Sequence, residues 1–213
     1  MHFLITAGPT REALDPVRFL SNRSSGRMGF AIAEAAAQAG HTVTLVAGPV
    51  ALPAPPGVER VDVVSTQEMY EAVQARLPRA EAAVFSAAVA DYRPVQVETQ
   101  KIKKSADRLT LELEKTPDIL GSVRRVFGWR GVLVGFAAET EQVLEHARGK
   151  RTGKDCDLMV ANDVSQPGTG FDAEENSVTL LFAGGGEETL PRMSKAAVAE
   201  RVVAAVEKLA AGR

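Results

Sequence analysis

Short apolar segments alternate with helix-forming segments along this chain, and this alternation constrains its fold more than any other feature of the sequence. The strand-like segments occupy residues 2–6, 42–46, 58–64, 82–88, 132–136 and 158–161. Helix-forming segments occupy residues 28–39, 65–77, 116–127 and 140–151, and a last one starts at Ser194. Such an alternation is typical of a parallel sheet with helices on both faces. We therefore expect an α/β, Rossmann-like fold of three layers.

Three of the predicted helices carry local signals of their own. Ser65 and Glu68 have the spacing of a capping box, and Thr116, Pro117 and Asp118 place a cap, a proline and an acid at a helix start. The closing helix has one apolar stripe, which predicts that it packs on the sheet. The stripe consists of Val198, Val202, Val206 and Leu209.

Two segments depart from the alternation. Near the C-terminus, three glycines separate two strand-like stretches, at residues 176–182 and 188–190. This pattern predicts an exposed hairpin. We expect the last buried strand to be the one before it, at residues 158–161. Residues 91–115 are polar and basic, with the strand-like stretch "RLTLELE" inside them. Irregular insertions of this length are usually lids, binding loops or disordered segments. We expect a single domain over residues 1–213, with a lid-like insertion at residues 91–115.

The composition excludes several classes of protein. With a net charge of −2 and a pI of about 6.0, the chain has no overall field that would attract nucleic acid or anionic lipid. No segment approaches the roughly 20 apolar residues of a membrane span. Cys156 is the only cysteine, so an internal disulfide is impossible and a cytoplasmic location fits. We expect a structural rather than a nucleophilic role for this thiol.

Small and polar residues stand together after four of the predicted strands, at residues 6–10, 87–92, 136–139 and 162–163. In an open parallel sheet, ligands bind outside the carboxyl ends of the strands. Small residues allow a ligand to approach the backbone, and polar residues orient it. The sequence therefore predicts a ligand site at this edge of the sheet.

The stretch "NRSSGRMG" at residues 22–29 precedes the first predicted helix. It is not a dinucleotide fingerprint, because a long segment separates it from the first strand and the second strand ends without a ribose-binding acid. Two interpretations remain for Ser24, Ser25 and Gly26. They present helix N–H groups to an anion, or Ser25 caps the helix and Gly26 turns the chain. The neighbouring Asn22 and Arg23 favour a phosphate.

Several charged residues lie near the same predicted edge. The segment "KIKK" at residues 101–104 is either a solvated loop face or a phosphate clamp. Lys150 and Lys154 either complement a helix C-terminus or bind a ligand. Asp91 and Asp118 are candidates to hold Mg²⁺ on a polyphosphate, although Asp118 is equally explained as a first-turn acid. These residues indicate an anionic nucleotide or phosphoester and do not specify a reaction.

Several motifs occur together, in order, between about Leu4 and Leu181. They are "ITAGPTREALDPVRFLSNRSSGRMGFAIA", "SAAVADYRP", "KIKK", "TPDIL", "VGFAAET" and "ANDVSQPGTGF". In this combination the chain resembles bacterial phosphopantothenoylcysteine synthetases. The resemblance implies an amide ligase in coenzyme A synthesis. In that family the carboxylate of 4'-phosphopantothenate attacks CTP, which releases pyrophosphate and leaves an acyl-cytidylate. The amine of cysteine then displaces CMP.

The resemblance also assigns roles to individual residues. Asn22 corresponds to the asparagine that stabilises the acyl-cytidylate, and Lys101 to the lysine at the triphosphate. Arg18 is similar to an arginine near the family's dimer interface that reaches a phosphate. CTP, Mg²⁺ and a cytoplasmic homodimer are implied. With the serine-glycine segment, the nucleotide-binding positions are Ser24, Ser25, Gly26, Ala87, Ala88, Asp91, Pro117, Asp118, Ile119, Leu120, Phe136, Lys150 and Lys154.

Two departures and two alternatives accompany this assignment. Many bacterial members carry the domain behind a flavin-binding decarboxylase half, so both a stand-alone enzyme and the C-terminal half of a longer protein fit this sequence. Arg27 stands where lysine is common, which conserves the charge. The alternative functions are an NAD(P)-dependent reductase and a catalytically silent nucleotide-binding domain. The intact Asn22 and Lys101 argue against the second.

Overall fold

A computed structural model describes residues 1–104, 107–139, 141–163 and 175–213. The strands are β1 (His2–Ala7), β2 (Arg11–Ala13), β3 (Phe19–Ser21), β4 (Thr42–Ala47), β5 (Val58–Asp62), β6 (Ala82–Phe85), β7 (Tyr92–Pro94), β8 (Leu113–Lys115), β9 (Val132–Glu139), β10 (Leu158–Asp163), β11 (Glu175–Phe182) and β12 (Glu187–Ser194). The α-helices are α1 (Arg27–Gln38), α2 (Thr66–Arg76), α3 (Ile119–Arg125), α4 (Val143–Gly153) and α5 (Lys195–Ala211). Among these residues, no helix is long and apolar enough to cross a membrane.

An eight-stranded sheet forms the centre of the fold, in the order β12-β11-β10-β9-β6-β1-β4-β5. The strands from β10 to β5 are parallel, whereas β11 and β12 run antiparallel to their neighbours. Strand β1 is buried on both faces because helices cover both sides of the sheet. The predicted three-layer α/β architecture is therefore confirmed.

The helices divide into two layers with separate apolar cores. Helices α1 and α5 pack on one face of the sheet, where Val198, Val202 and Val206 of α5 are buried. Helices α2, α3 and α4 pack on the other face, through side chains such as Met69, Val123 and Ala147. The predicted contact between the stripe of α5 and the sheet is thus confirmed.

The C-terminal hairpin differs from its prediction. Strands β11 and β12 do form a hairpin, but it extends the central sheet because β11 pairs with β10. Val178, Leu180 and Leu181 of β11 are buried, so the hairpin is not exposed and residues 158–161 are not the last buried strand. The three glycines indicate a turn from the local sequence alone. The burial of residues 178–182 depends instead on packing against a neighbouring strand and a helix, and the local pattern does not show that packing.

Helix starts agree with the predictions in one case and differ in another. The N–H of Glu68 donates to Ser65 Oγ at 3.2 Å, and Glu68 in turn accepts from the N–H of Val64 at 2.7 Å, which confirms a cap at Ser65. Helix α3 starts later than predicted, because Asp118 rather than Thr116 is its N-cap. The Thr116 hydroxyl donates instead to the carbonyl of Ala90 at 2.6 Å. Helix α3 also ends at Arg125 rather than near residue 127.

Two small antiparallel pairs stand outside the central sheet. Strands β2 and β3 form a hairpin between β1 and α1 that the sequence analysis did not predict. Strands β7 and β8 pair at the two ends of the insertion at residues 91–115. Within the stretch "RLTLELE", only its last two residues belong to β8. Apart from β7 and β8, which pair at its base, the described residues of the insertion form no strand or helix.

Cys156 is a buried side chain of the apolar core. It is 2% exposed and packs in the core beneath α2, α3 and α4. Burial raises the pKa of the thiol to about 12. Because the thiolate is the reactive form, we expect the native protein to resist iodoacetamide near pH 9, whereas the urea-unfolded chain is alkylated. Mass spectrometry measures both rates. Alkylation of the native protein at the rate of the unfolded chain would contradict this prediction.

Candidate functional site

The site lies where the strand order of the sheet reverses. From β1 the chain moves outward through β4 to β5, and from β6 it moves in the opposite direction through β9 to β10. Ligands bind at such a switch point, outside the carboxyl ends of the strands. A cavity of about 620 Å³ occupies this position. It is lined from one face by the start of α1 and from the other by the start of α3 and the end of α4.

The start of α1 faces this cavity and is suited to bind an anion. Gly26 holds the cap position of the helix in a left-handed conformation, with φ of 78°, so Ser25 is not its N-cap. The first turn carries no acidic residue. The first N–H groups of any helix lack partners within the helix, and the helix dipole favours negative charge beside them. This arrangement favours the anion-binding interpretation of Ser24, Ser25 and Gly26.

Gly29 allows α1 to approach the strands that border the cavity. A Cβ atom at this position would lie 2.5 Å from the Cβ of Ala7 and 2.6 Å from Oγ of Ser86. Only glycine fits this contact between the helix and the ends of β1 and β6. The N-terminus of α1 is thereby held against the carboxyl edge of the sheet.

Backbone and side-chain hydrogen bonds hold the segment after β6 against this edge. The N–H of Ala88 donates to the carbonyl of Gly8 at 2.9 Å, and the N–H of Ala90 donates to Oγ1 of Thr10 at 2.9 Å. Asn22 donates through Nδ2 to the carbonyl of Ala88 at 2.9 Å. Asn22 is thus not part of the cavity lining itself, but it is held against Ala88, which is.

Asp118 organises the opposite side of the cavity. Its carboxylate accepts from the N–H of Gly121 at 2.9 Å, from Arg125 at 3.1 Å and from the ammonium group of Lys154. Partial burial by itself raises the pKa of Asp118, but these hydrogen bonds, with Lys154 first among them, lower it overall. Asp118 thus stays ionised and orients Lys154, which lines the cavity together with Lys150.

Apart from Lys101, the cavity brings together the positions that the resemblance assigns to nucleotide binding. Its lining includes Ser24, Ser25, Gly26, Ala87, Ala88, Asp91, Pro117, Asp118, Ile119, Leu120, Phe136, Lys150 and Lys154. Within the described parts of the chain, no group of three or more histidine, cysteine or acidic residues has a metal-binding arrangement.

Arg18 and Lys101 lie outside the lining of this cavity. The exposed Lys101 borders a second cavity, between the insertion and Leu14. The next residue, Ile102, donates its N–H to Asp15 at 3.1 Å and accepts from Arg18 at 2.8 Å. Burial raises the pKa of Asp15, but hydrogen bonds from Arg18 and from backbone N–H groups lower it well below its usual range. Asp15 and Arg18 together anchor the insertion to the β2–β3 hairpin.

We expect Asp15→Asn to release the insertion from this anchor. The asparagine amide cannot form the ion pair with Arg18. Trypsin should therefore cleave after the lysines of the segment 101–104 several-fold faster, because the rate of proteolysis follows the population of opened chains. Asp62→Asn is the control, since Asp62 pairs with Arg60 at the exposed surface. Because the pKa of Asp15 is lowered, the anchor of the unaltered protein should persist below the pH at which exposed carboxylates protonate. Equal cleavage rates for the two variants would refute the anchor.

Asn162 also lines the cavity, at the end of β10, where the sequence predicts the ligand edge. Two further polar residues of the lining, Asn176 and Lys195, were not predicted. No local sequence pattern marked Asn176 or Lys195 as site residues, because the position of β11 in the sheet was not predicted. Residues 164–171 of the motif "ANDVSQPGTGF" lie outside the described residues.

A sequence model of the DNA/pantothenate metabolism flavoprotein C-terminal domain family matches residues 1–209. The chain belongs to this family. It is 50% identical over 208 residues to the coenzyme A biosynthesis bifunctional protein CoaBC of Vibrio parahaemolyticus, and the match covers 97% of this chain and 52% of that protein. This family member thus spans about half the length of its curated relatives.

Solved structures of related domains have the same fold. The C-terminal domain of a coenzyme A biosynthesis bifunctional protein CoaBC is 40% identical, with a TM-score of 0.86, and the comparison covers 100% of this chain and 96% of that one. A Cab2 mutant, H337A, solved in complex with phosphopantothenate-cysteine is 17% identical, with a TM-score of 0.80 and coverage of 99% and 88%. At that identity the likeness concerns the fold alone.

Proposed function

We propose that this chain joins 4'-phosphopantothenate to L-cysteine at the expense of CTP. The observation that carries the proposal is that the nucleotide-binding positions implied by the resemblance, apart from Lys101, line one cavity at the switch point of the sheet. The proposal is supported by the relatives, which are named for coenzyme A biosynthesis, and by the phosphopantothenate-cysteine bound to a protein of the same fold.

The proposed reaction has two half-reactions that balance in charge and atoms. The substrate carboxylate attacks the α-phosphorus of CTP, and the bond to the bridging oxygen breaks, so that its electron pair leaves with pyrophosphate. The amine of cysteine then attacks the acyl carbon, CMP leaves with the electron pair of the acyl–oxygen bond, and the amine loses a proton. Both the substrate carboxylate and the triphosphate are anions, so the site must supply positive charge where they meet.

This charge comes from both faces of the sheet. The α1 N-terminus directs backbone N–H groups at the cavity from one face. Lys150 and Lys154 line it from the other, where Asp118 orients Lys154. We assign the nucleoside part of CTP to the segment 117–120 with Phe136 and these lysines. The α-phosphate then lies towards the edge segment 86–91.

Asn22 is proposed to serve both half-reactions. Its Nδ2 atom donates to the carbonyl of Ala88, so the amide already lies at the edge of the cavity. Because an amide does not titrate, it can donate a hydrogen bond to the anionic intermediate without exchanging protons with it. Lys101 is proposed to reach the triphosphate by movement of the insertion at residues 91–115.

The residues present fit an Mg²⁺ ion carried by the triphosphate. Asp91 lines the cavity with an exposed carboxylate, and Mg²⁺ is commonly bound by one or two carboxylates together with substrate phosphates. The oxygens of Asp118 are engaged by Lys154, Arg125 and the N–H of Gly121, which favours Asp91 as the metal-binding residue. When bound, the ion would neutralise charge on the phosphates.

We also propose a homodimer that is built on the β2–β3 hairpin and the insertion. Large apolar side chains are exposed there, which is typical of a protein–protein contact. They include Val17, Phe19, Val95, Val97 and Leu109. A single synthetase domain over residues 1–213 and a cytoplasmic location complete the proposal. Analytical ultracentrifugation of the unaltered protein and of Phe19→Ser tests the dimer.

Pyrophosphate release tests the enzymatic proposal. Purified protein with CTP, Mg²⁺ and 4'-phosphopantothenate should release pyrophosphate, and the addition of cysteine should yield CMP and the amide. Binding of CTP without turnover would indicate a silent nucleotide-binding domain instead. A fluorescence titration with NADH that showed tight binding would favour a reductase.

A further inference from the structure

Glu12 is a buried carboxylate that does not line the main cavity. It belongs to β2, and only 4% of its surface is exposed. Its Oε1 atom accepts hydrogen bonds from the N–H of Thr66 at 2.9 Å and from the hydroxyl of Thr66 at 2.7 Å. Burial of a charged group is costly unless it has partners, and the start of α2 supplies these two. The carboxylate thereby fixes the direction in which the Thr66 hydroxyl donates.

A chain of hydrogen bonds leads from Glu12 to the residues after β6. Oγ1 of Thr66 lies 3.0 Å from Oγ1 of Thr10, which in turn accepts from the N–H of Ala90 at 2.9 Å. A threonine hydroxyl has a single hydrogen. A second acceptor for the hydrogen of Thr66, the carbonyl of Ala90, lies farther away, at 3.4 Å. Because the hydrogen of Thr66 points to Glu12, the hydrogen of Thr10 points to Thr66.

This chain therefore has one direction and ends on a charge. It runs from the amide of Ala90 through the hydroxyls of Thr10 and Thr66 to the carboxylate of Glu12. Successive hydrogen bonds of this kind polarise one another, and a charged acceptor strengthens the bond that it receives. Thr10 is 0% exposed, and so is Thr66, so water does not compete for their hydroxyls. The chain holds the β2–β3 hairpin, the start of α2 and the residues after β6 in one arrangement.

The segment 88–91, at the far end of this chain, determines where two groups of the proposed reaction lie. The carbonyl of Ala88 accepts from Nδ2 of Asn22 at 2.9 Å. Asp91 follows Ala90 directly and lines the cavity. A shift of the segment would therefore displace the amide of Asn22 and the carboxylate of Asp91 together. A misplacement of about 1 Å at an active site is enough to cost about 10²-fold in rate.

We propose that Glu12 is a positioning residue for the ligase reaction. It holds the segment 88–91 through the hydroxyls of Thr66 and Thr10, and the segment in turn places the groups that meet the reacting atoms. This inference rests on the proposed function. A simple tether between the hairpin and α2 needs only the bond from the N–H of Thr66 to the carboxylate, whereas positioning needs the Thr66 hydroxyl as well.

Thr66→Val separates the positioning role from the tether. Valine is close to threonine in shape and keeps the N–H that donates to Glu12, but it breaks the chain of hydrogen bonds. Pyrophosphate release at saturating CTP should slow by about 10–10²-fold. The dissociation constant of CTP should stay within about twofold, because the residues proposed to bind the nucleoside lie outside the chain. Thr66→Ser restores the hydroxyl and should recover most of the rate.

Two variants of Glu12 test the carboxylate itself. Glu12→Gln keeps an acceptor oxygen for both hydrogen bonds of Thr66 and should retain most of the activity. Glu12→Leu keeps the volume without the acceptor and should slow pyrophosphate release as Thr66→Val does. Ser65→Ala is the matched control, because Ser65 caps the same helix by accepting from the N–H of Glu68 at 3.2 Å. This variant weakens the start of α2 without breaking the chain and should release pyrophosphate normally.

Hydrogen exchange of the Ala90 amide, measured by NMR, reports on the chain without any turnover. This amide should exchange several-fold faster in Thr66→Val and in Glu12→Leu than in the unaltered protein, because local opening sets the exchange rate. Normal turnover in both variants would overturn the positioning role. So would an equal loss of rate in Ser65→Ala, or a loss of CTP affinity as large as the loss of rate, since either would indicate general damage to the protein.

The same measurements separate this inference from the proposed function. If the unaltered protein releases no pyrophosphate from CTP while both variants speed the exchange of the Ala90 amide, Glu12 still positions the segment 88–91 and the proposed reaction fails. If the unaltered protein turns over CTP and Thr66→Val does so at the same rate, the proposed reaction stands and the positioning role fails.

Discussion

Replacement of Asn22 by aspartate is expected to reduce turnover by about 10²–10³-fold, the usual cost of losing one preorganised donor in an active site. The Nδ2 atom of Asn22 donates to the carbonyl of Ala88 at 2.9 Å. A carboxylate would place an acceptor against that carbonyl and a negative charge beside an anionic intermediate. Steady-state rates of CMP formation measure the effect. The affinity for CTP should change much less than the rate, because the nucleoside is bound by other residues.

Gln74→Glu is the control for this substitution. Gln74 is exposed on α2, so the variant introduces the same negative charge away from the cavity and should retain full activity. Asn22→Asp with normal turnover would remove Asn22 from the mechanism. A large loss of CTP affinity with little change in rate would instead make it a ground-state binding residue.

Replacement of Lys101 by glutamine is expected to slow pyrophosphate release by about tenfold or more, the usual cost of losing a charged hydrogen bond. Lys101 is exposed and borders the second cavity rather than the main one, so the insertion must move for its ammonium group to reach a phosphate. Single-turnover measurements of pyrophosphate release isolate this step. The subsequent reaction with cysteine should proceed at an unchanged rate, since the triphosphate is gone by then.

Lys104→Gln is the matched control, because Lys104 is exposed in the same segment of the insertion and the change in net charge is the same. We expect it to release pyrophosphate normally. Should both variants slow the step equally, the effect belongs to the general charge of the insertion. Should neither do so, Lys101 is a surface residue of the insertion.

Much of the fold could be predicted because its signals are local. Apolar runs and helix periodicity identified the parallel strands and the principal helices, since burial on both faces requires continuous apolar strands. The cap at Ser65 was also predictable, because the groups that satisfy the first N–H groups of α2 lie within one turn.

The elements that were missed depend on distant contacts. The β2–β3 hairpin contains only two three-residue strands, and it is tied to α2 through a buried carboxylate. Oε1 of Glu12 accepts from the N–H of Thr66 at 2.9 Å and from its hydroxyl at 2.7 Å. A pattern of hydrophobicity along the chain does not encode such a contact. The pairing of β11 with β10 was missed for the same reason.

The sequence by itself determined the alternation of strands and helices and the edge at which a ligand binds. Because the carboxyl ends of parallel strands meet at one edge whatever their order, the residues after those strands could be assigned to a common site. Only the tertiary structure decided which further side chains join them. The order of strands in the sheet brings Asn176 and Lys195 to the main cavity, and the docking of the insertion leaves Lys101 outside it. Both outcomes depend on packing between segments far apart in the chain, which local patterns do not specify.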